Sequence, residues 1–395
     1  MAKICMVSVQ HSPLDDRIFY KEALSLQKAG FEICQVCAVN SDGYAFDIGG
    51  KTILNKNREE QLIFEGIPTK LISLPDSALA HLLNKVFLGS FSKQFVGAIR
   101  SFNADVLHAH EPISFYLAHW AAKGTQTKVI FDSHECWEDG TPKGKWIKKN
   151  FLSKLEFLIT ANQITRGSLL TMHPKVRSQV ILNGAELQRF NDVKSSKMPV
   201  IVHDGYLPFN RGLKLMVEVL RLVKKYIPEI KLKVIGETFG EEKRFLQKAI
   251  TKFGLEENIL ETGWMPYEKV PECFNGCAVG IITKLPTTNN VIGGPPIKYY
   301  NYTAAGLAVV DVDMPETTRL LNENNNGISV KTRKAEDIAA AIIHLFQNAK
   351  ELDYYQQQSR IAAQKMNWEM EAEKLVNFYQ REVLNNRAFI HRTVD

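Results

Sequence analysis

Five short stretches of this chain gather residue types that can do chemistry. One is residues 296–310, Pro-Ile-Lys-Tyr-Tyr-Asn-Tyr-Thr-Ala-Ala-Gly-Leu-Ala-Val-Val. It reads as a helix opened by Pro296, closed by Gly306 and followed by a buried strand. The start of a helix offers free N–H groups and partial positive charge, so it can seat a phosphate, and Lys298 in the first turn adds a mobile cation. The Gly/Asn-rich residues 289–294 just before it could cradle phosphate with backbone amides. A second stretch, Gly205-Tyr206-Leu207-Pro208-Phe209-Asn210-Arg211-Gly212, carries an arginine able to fork onto two phosphate oxygens. The other three carry imidazoles and carboxylates. Asp132-Ser133-His134-Glu135 could bind hydroxyls or serve as an acid–base group. In His108-Ala109-His110 an imidazole could donate to a hydroxyl or organise a developing charge. His11-Ser12-Pro13-Leu14-Asp15-Asp16-Arg17 mixes both charges, and Asp15 and Asp16 are also suited to cap a helix.

All five fall where strands should end. The chain alternates β-rich runs with amphipathic stretches, the pattern of parallel sheets covered by helices. Residues 4–9 and 31–39 read as strands around a helix at 17–29 closed by Gly30, and two further strands end at His108 and Asp132. Residues 191–197 are polar and aperiodic, a plausible crossing near a domain boundary. A second series follows: a strand at 200–203, a loop at 205–211, a helix at 212–226, and a strand at 231–235 ending at Gly236-Glu237. Strands at 259–261, 278–283 and 307–312 and a helix at 335–347 complete it. Ligands of such sheets bind beyond the carboxyl ends of the strands. A length of 395 residues suits two domains of roughly 150–200 residues.

Composition excludes several classes. Apolar content of 45% and charged content of 23% are those of a soluble globular protein. The formal charge of +6 fits an enzyme of anionic substrates, or one visiting an acidic membrane face, and argues little for nucleic acid, so no nucleic-acid partner is expected. The N-terminus reads as a strand rather than a signal peptide, and no apolar run reaches the roughly 18–20 residues of a membrane span, so the expected location is cytoplasmic. Six cysteines form no disulfide framework. Cys34 and Cys37 lie three apart on a strand and so on opposite faces, and Cys273 and Cys277 read likewise as small apolar residues. Residues 142–154 hold five lysines, no acids and four bulky apolar residues, a solvated helix face or a surface for anionic membrane.

The residues at 296–310 resemble the donor-gripping helix of retaining GT-B glycosyltransferases of family 4 (glycosyl transferases group 1), roughly Pro-x-Lys-Leu-Phe-Glu-Tyr-x-Ala-Ala-Gly-x-Pro-Val-Val. The likeness covers nearly the whole chain. It includes Ile181-Leu182-Asn183-Gly184-Ala185-Glu186, the His-x-Pro-x-Asp-x-Arg-Ile pattern at His11, His-x-His at His108 and Asp-x-His-Glu at Asp132. It implies an α/β GT-B fold: two Rossmann-like domains with parallel sheets facing across a cleft and a C-terminal helix crossing back. The implied division is 1–180 on the acceptor side, 181–360 for the nucleotide sugar, and 361–395 packing back on the first domain. The implied reaction moves a sugar with retention from a nucleoside-diphosphate sugar, UDP-sugar by family frequency, to an acceptor hydroxyl in bacterial surface polysaccharide or glycoconjugate assembly. The acceptor would be a saccharide, lipid-linked in many enzymes of the family, which would give the protein peripheral contact with the inner membrane face. His110, Arg211 and Lys298 are the expected catalytic residues. Gly205, Glu237, Lys284, Gly294, Pro296 and Asn301 are expected at the donor, and His11, Arg17, His134 and Glu135 on the acceptor side. No cofactor and no metal are expected, and Asp311-Val312-Asp313, which mimics a metal-binding Asp-x-Asp, falls after a buried strand.

Two letters depart from the family form. Tyr206 stands where an arginine clamps the diphosphate, and Asn301 where a glutamate holds the ribose. They motivate two alternatives, a nucleotide-sugar-binding subunit with little activity and a UDP-sugar isomerase.

Overall fold

The computed structural model describes residues 1–39, 44–46, 52–54, 62–74, 89–134, 152–285 and 293–385. Glu135, residues 142–151 of the lysine-rich stretch and residues 289–292 of the Gly/Asn-rich loop lie outside them. The chain divides into two compact units, Met1–Leu182 with Glu371–Asp395, and Asn183–Met370.

The strands of the first unit are β1 (Lys3–Ser8), β2 (Glu32–Val39), β3 (Tyr44–Phe46), β4 (Thr52–Leu54), β5 (Leu62–Phe64), β6 (Ile67–Ser73), β7 (Val106–Ala109), β8 (Lys128–Ser133), β9 (Phe157–Thr160) and β10 (Arg177–Val180). Eight of them form one sheet in the order β10-β9-β8-β7-β1-β2-β6-β5, and β3 and β4 pair separately. Every pairing in the large sheet is parallel except β5 with β6. The central strands are apolar on both faces, as parallel strands between helix layers must be. Ile4, Cys5, Met6 and Val7 of β1 are all fully buried. The chain moves outward from β1 in one direction and from β7 in the other. That reversal opens a crevice beyond their carboxyl ends, where ligands of such sheets sit.

The first helix begins differently from the regular helix expected at 17–29. Asp15 caps it, accepting from the backbone N–H of Arg17 and Ile18, but residues Asp16–Ala23 form a wide π-helical turn before a short α-helix at Leu24–Lys28. The N–H of Tyr20 reaches back five residues to the Asp15 carbonyl at 3.3 Å. Such widened turns are frequent at functional sites because they re-aim side chains. Here the turn holds Arg17 and Glu22 inward, both buried. The last described segment is a helix at Trp368–Phe378 continuing as a wide turn at Tyr379–Val383.

The second unit has β11 (Val200–Asp204), β12 (Lys231–Ile235), β13 (Ile259–Glu261), β14 (Val279–Ile282), β15 (Ala308–Asp311) and β16 (Gly327–Ser329). They run parallel in the order β13-β12-β11-β14-β15-β16, so the reversal point lies between β11 and β14. The helix at Leu213–Lys224 buries Leu213, Met216, Val217, Leu220 and Val223, the three-and-four spacing of one apolar stripe. It starts after Gly212, whose φ is +94° and whose added Cβ would stand 2.5 Å from the Thr283 carbonyl oxygen, so only glycine fits. The helix expected at 335–347 is found as Ala335–Gln347, and it packs its apolar face into the same core.

Candidate functional site

In the second unit the loop after β11 and the helix Ile297–Ala304 meet at the reversal point. Pro296 is the N-cap of that helix, in extended conformation; the Tyr299 N–H donates back to the Pro296 carbonyl at 2.9 Å, and the N–H groups of Ile297 and Lys298 come before the first intrahelical bond. Lys298 and Asn301 stand three residues apart and share one face. They meet consecutive residues at the end of β11. Lys298 Nζ lies 3.0 Å from His203 Nε2, and Asn301 Nδ2 donates to Asp204 Oδ2 at 2.8 Å. Lys298, expected as a mobile cation, is only 7% exposed. Burial pushes its ammonium down to about 7; the carboxylate of Asp204 opposes that, and the positive charges of Arg211 and Lys284 reinforce it. Burial, Lys298 and Arg211 together keep His203 neutral, well below the usual imidazole value. The result is a buried lysine whose hydrogen-bond partner is a neutral imidazole, with two more cations near enough to repel it.

The other donor-side expectations fall around this point. Gly205, with a left-handed φ of +88°, turns the chain away from β11. Arg211 is exposed, and its Nη1 donates to the Tyr206 carbonyl at 3.4 Å. Its backbone carbonyl accepts from Thr283 Oγ1 at 2.9 Å, tying the loop to the end of β14. Lys284, Gly294 and Pro296 line one pocket with Gly293, Met314, Glu316 and Thr317. Glu237 is 3.8 Å from Lys243 Nζ. Tyr206, in the position of the missing arginine, packs its ring 5.5 Å from that of Phe239, which is 54% exposed. Asp311 is buried and accepts from the Met314 N–H at 2.9 Å, with burial pushing its carboxyl up to about 7, while Asp313 is exposed.

In the first unit, imidazoles run in a row from rim to interior. His11 packs edge-on to His134 with 5.0 Å between ring centroids, and its Nδ1 is 3.3 Å from Asp15 Oδ2. His134 Nε2 is 3.3 Å from His110 Nδ1. His110 stacks on His108 at 4.4 Å, and His108 Nδ1 is 2.9 Å from the Tyr379 hydroxyl. Beneath them Arg17 joins two carboxylates, its Nε 2.8 Å from Glu22 Oε1 and its Nη2 3.2 Å from Asp132 Oδ2. Arg17 Nη1 donates to the Ile181 carbonyl at 2.9 Å. Arg17, expected among the acceptor contacts, is 4% exposed and spends its guanidinium inside the unit. Burial favours the neutral form of Asp132, but Arg17, His134 and His108 outweigh it and hold the carboxyl well below its usual range. Burial and the adjacent Asp132 raise Glu22 well above the usual carboxyl value, against the opposing pull of Arg17. Burial and the neighbouring imidazoles depress His110, leaving it neutral near pH 7.

Glu22, His108, His110 and Asp132 offer ligand atoms within 4.8 Å of one another, the grouping among the described residues that could hold a metal ion. Arg17 already lies against both of its carboxylates. Glu111, which follows His110, fixes the neighbouring loop. Its Oε1 accepts from the N–H of Val9, from that of Gln10 at 2.7 Å and from Ser114 Oγ at 2.6 Å. Sequence reasoning passed over Glu22, Glu111, His203, Asp204 and Tyr379. Of these, Glu111 and His203 had a signal, since each adjoins a strand end.

Comparison with known proteins gives this arrangement a class. Residues 185–364 match the family described as Glycosyl transferases group 1, and residues 54–189 match Glycosyltransferase Family 4. The chain is 21% identical over 317 residues to "Putative glycosyltransferase EpsD" of Bacillus subtilis (strain 168), covering 73% of this chain and 79% of that protein. It is 22% identical over 197 residues to the amylovoran biosynthesis glycosyltransferase AmsK of Erwinia amylovora, spanning about half of each (49% and 48%). The crystal structure of HepE from Anabaena in complex with UDP and glucose superimposes with a TM-score of 0.72 at 13% identity, covering 96% of this chain and all of that one. The fold is GT-B. The chain carries a glycosyltransferase family 4 domain followed by a group 1 domain.

Proposed function

We propose that this protein transfers a sugar from a nucleoside-diphosphate sugar, a UDP-sugar first among candidates, to an acceptor saccharide in the assembly of a bacterial polysaccharide, with retention at the anomeric carbon and without a metal. The observation that carries the reading is Lys298, a buried ammonium at a helix mouth facing a neutral imidazole, with Arg211 and Lys284 near. A buried cation without a close hydrogen-bonded anion costs several kcal/mol unless an anion arrives. A diphosphate supplies it, and the free N–H groups of the same helix add to the attraction. The families matched, the UDP-bound neighbour and the amylovoran-forming relative point the same way.

In the reaction the bond from the sugar's anomeric carbon to the diphosphate oxygen breaks, and a bond to the acceptor oxygen forms on the same face. Lys298, Arg211 and the helix start stabilise the departing diphosphate, whose oxygen takes the acceptor's proton. In the first unit the row from His11 to His110 receives the acceptor's hydroxyls, with neutral His110 able to donate or accept. A lipid-linked acceptor would bring the protein to a membrane surface; no helix among the described residues is long and apolar enough to cross one.

The test is product analysis with a panel of nucleotide sugars and a polysaccharide-precursor acceptor, with and without EDTA. Transfer with the anomeric configuration kept and unaffected by EDTA is expected. Arg211→Ala should lower kcat/KM by about 2–3 kcal/mol, the scale of one lost preorganised charge contact. Binding of the sugar nucleotide without turnover would favour the binding subunit, and an altered free sugar nucleotide would favour the isomerase.

A further inference from the structure

We propose that Asp204, held in place by Asn301, is the carboxylate that receives a pair of hydroxyls of the sugar nucleotide in the second unit; this rests on the nucleotide-sugar reading above. The carboxylate ends β11 at the reversal point of the sheet. The residue is half-buried.

It is fixed at both backbone and side chain. Its backbone N–H donates to the Tyr302 hydroxyl at 3.0 Å, and that hydroxyl, on a fully buried ring, donates in turn to the Ile281 carbonyl at 3.2 Å. Its Oδ2 accepts the Asn301 amide at 2.8 Å. A carboxylate offers about four lone-pair sites across its two oxygens, and Asn301 Oδ1 is a further acceptor beside it. Two neighbouring hydroxyls are donors at matching separation, and bonds from them to a charged acceptor are the strong kind. Asp204 is also close enough to Lys298 to favour its charge. Diphosphate and hydroxyls are adjacent in a sugar nucleotide, on the ribose side and on the sugar side alike. The site places a cation and a carboxylate adjacent in the same way, through Lys298 and Asn301 on one helix face and His203 and Asp204 on one strand end.

The pairing changes what position 301 means. Asn301 was expected at the donor, in the place of the family's ribose-holding glutamate. In the structure its amide is committed to Asp204, so an acid at 301 would face a carboxylate at hydrogen-bonding distance. The roles should instead be exchangeable as a pair.

The experiment is calorimetric titration of UDP, 2′-deoxy-UDP and UDP-glucose into the wild type, D204N, N301D and the double variant D204N/N301D. D204N preserves side-chain shape, and a thermal melt of each variant verifies folding. If ribose hydroxyls are held, the wild type prefers UDP to 2′-deoxy-UDP by about tenfold or more, and D204N loses the preference. If the transferred sugar's hydroxyls are held, D204N weakens UDP-glucose about tenfold or more and leaves UDP unchanged. In either case N301D weakens binding through like charges, and the double variant recovers most of the loss. A merely electrostatic role for Asp204 toward Lys298 would weaken all three ligands equally and overturn the proposal, as would D204N binding all three like the wild type. If the wild type binds none of UDP, GDP or ADP, the nucleotide-sugar reading fails, and this proposal with it.

Discussion

Two clusters of ionisable side chains occupy matching places, each beyond the reversal point of its own sheet, and they are balanced in opposite ways. In the first unit the buried cation, Arg17, has two buried carboxylates against it and a backbone carbonyl besides. In the second the buried cation, Lys298, is hydrogen-bonded to a neutral histidine, and the nearby Asp204 carboxylate that favours its charge is opposed by burial and by the cations Arg211 and Lys284. Taking an ion from water costs several kcal/mol, and that cost must be offset by a partner in the protein or by a ligand. The first cluster is offset internally, so its charges hold the fold and present histidines. On the function proposed above, the second is offset from outside, by the anion it receives. The contrast would then separate charges that serve stability from charges that serve binding.

The largest test of that contrast is Arg17→Met. It strands Glu22 and Asp132 without their cation and should cost about 3–5 kcal/mol in urea unfolding. A loss below about 1 kcal/mol would mean the network is not the internal ion pair it looks to be. Next comes Lys298→Met, which keeps the stem and removes the charge. Transfer should fall by about 2.7–4 kcal/mol in kcat/KM, while the unfolding midpoint stays level or rises. Equal losses of activity and stability would erase the distinction between the units.

A smaller effect comes from pH. In the free protein Lys298 sits at about 7, and a bound diphosphate favours its charged form, so binding takes up a proton above that pH. The Kd for UDP should therefore rise between pH 7 and 9 by up to about tenfold per unit, and in Lys298→Met it should not. A flat wild-type profile would show that the ammonium is already charged when the ligand arrives. The smallest test returns to the first unit. Tyr379→Phe removes the hydroxyl beside His108 and should cost about 1 kcal/mol of stability with donor affinity unchanged.

The strands and most helices could be read from the chain because burial on both faces writes continuous apolar runs, as in Ile4 to Val7, and one-sided burial writes the spacing seen in Ala335–Gln347. Lys298, Arg211 and the histidines could be located because strand ends and helix starts are local signals. What could not be read was pairing. Glu22 lies in the middle of a helical stretch, and nothing near it in sequence announces Asp132, which it meets across the unit. Asp204 gains its meaning from Asn301, 97 residues away. The π-helical turn at Asp16–Ala23 was invisible because an apolar stripe tolerates one widened turn. Lys298 was read as mobile for the same kind of reason: first-turn lysines are usually exposed, and only packing against His203 decides otherwise.

The tail carries one more consequence. Glu371–Asp395 belongs to the unit that begins at Met1, and Tyr379 and Val383 reach His108 and Lys128 there. On the ribosome, residue 182 emerges about 200 residues before those partners exist, a delay of roughly 10–40 s at ordinary elongation rates. Throughout that interval the first unit has no hydroxyl for His108. Its folding is therefore completed only by residues made after the whole of Asn183–Met370, and a ribosome stalled within that stretch would hold an unfinished first unit for chaperones to guard.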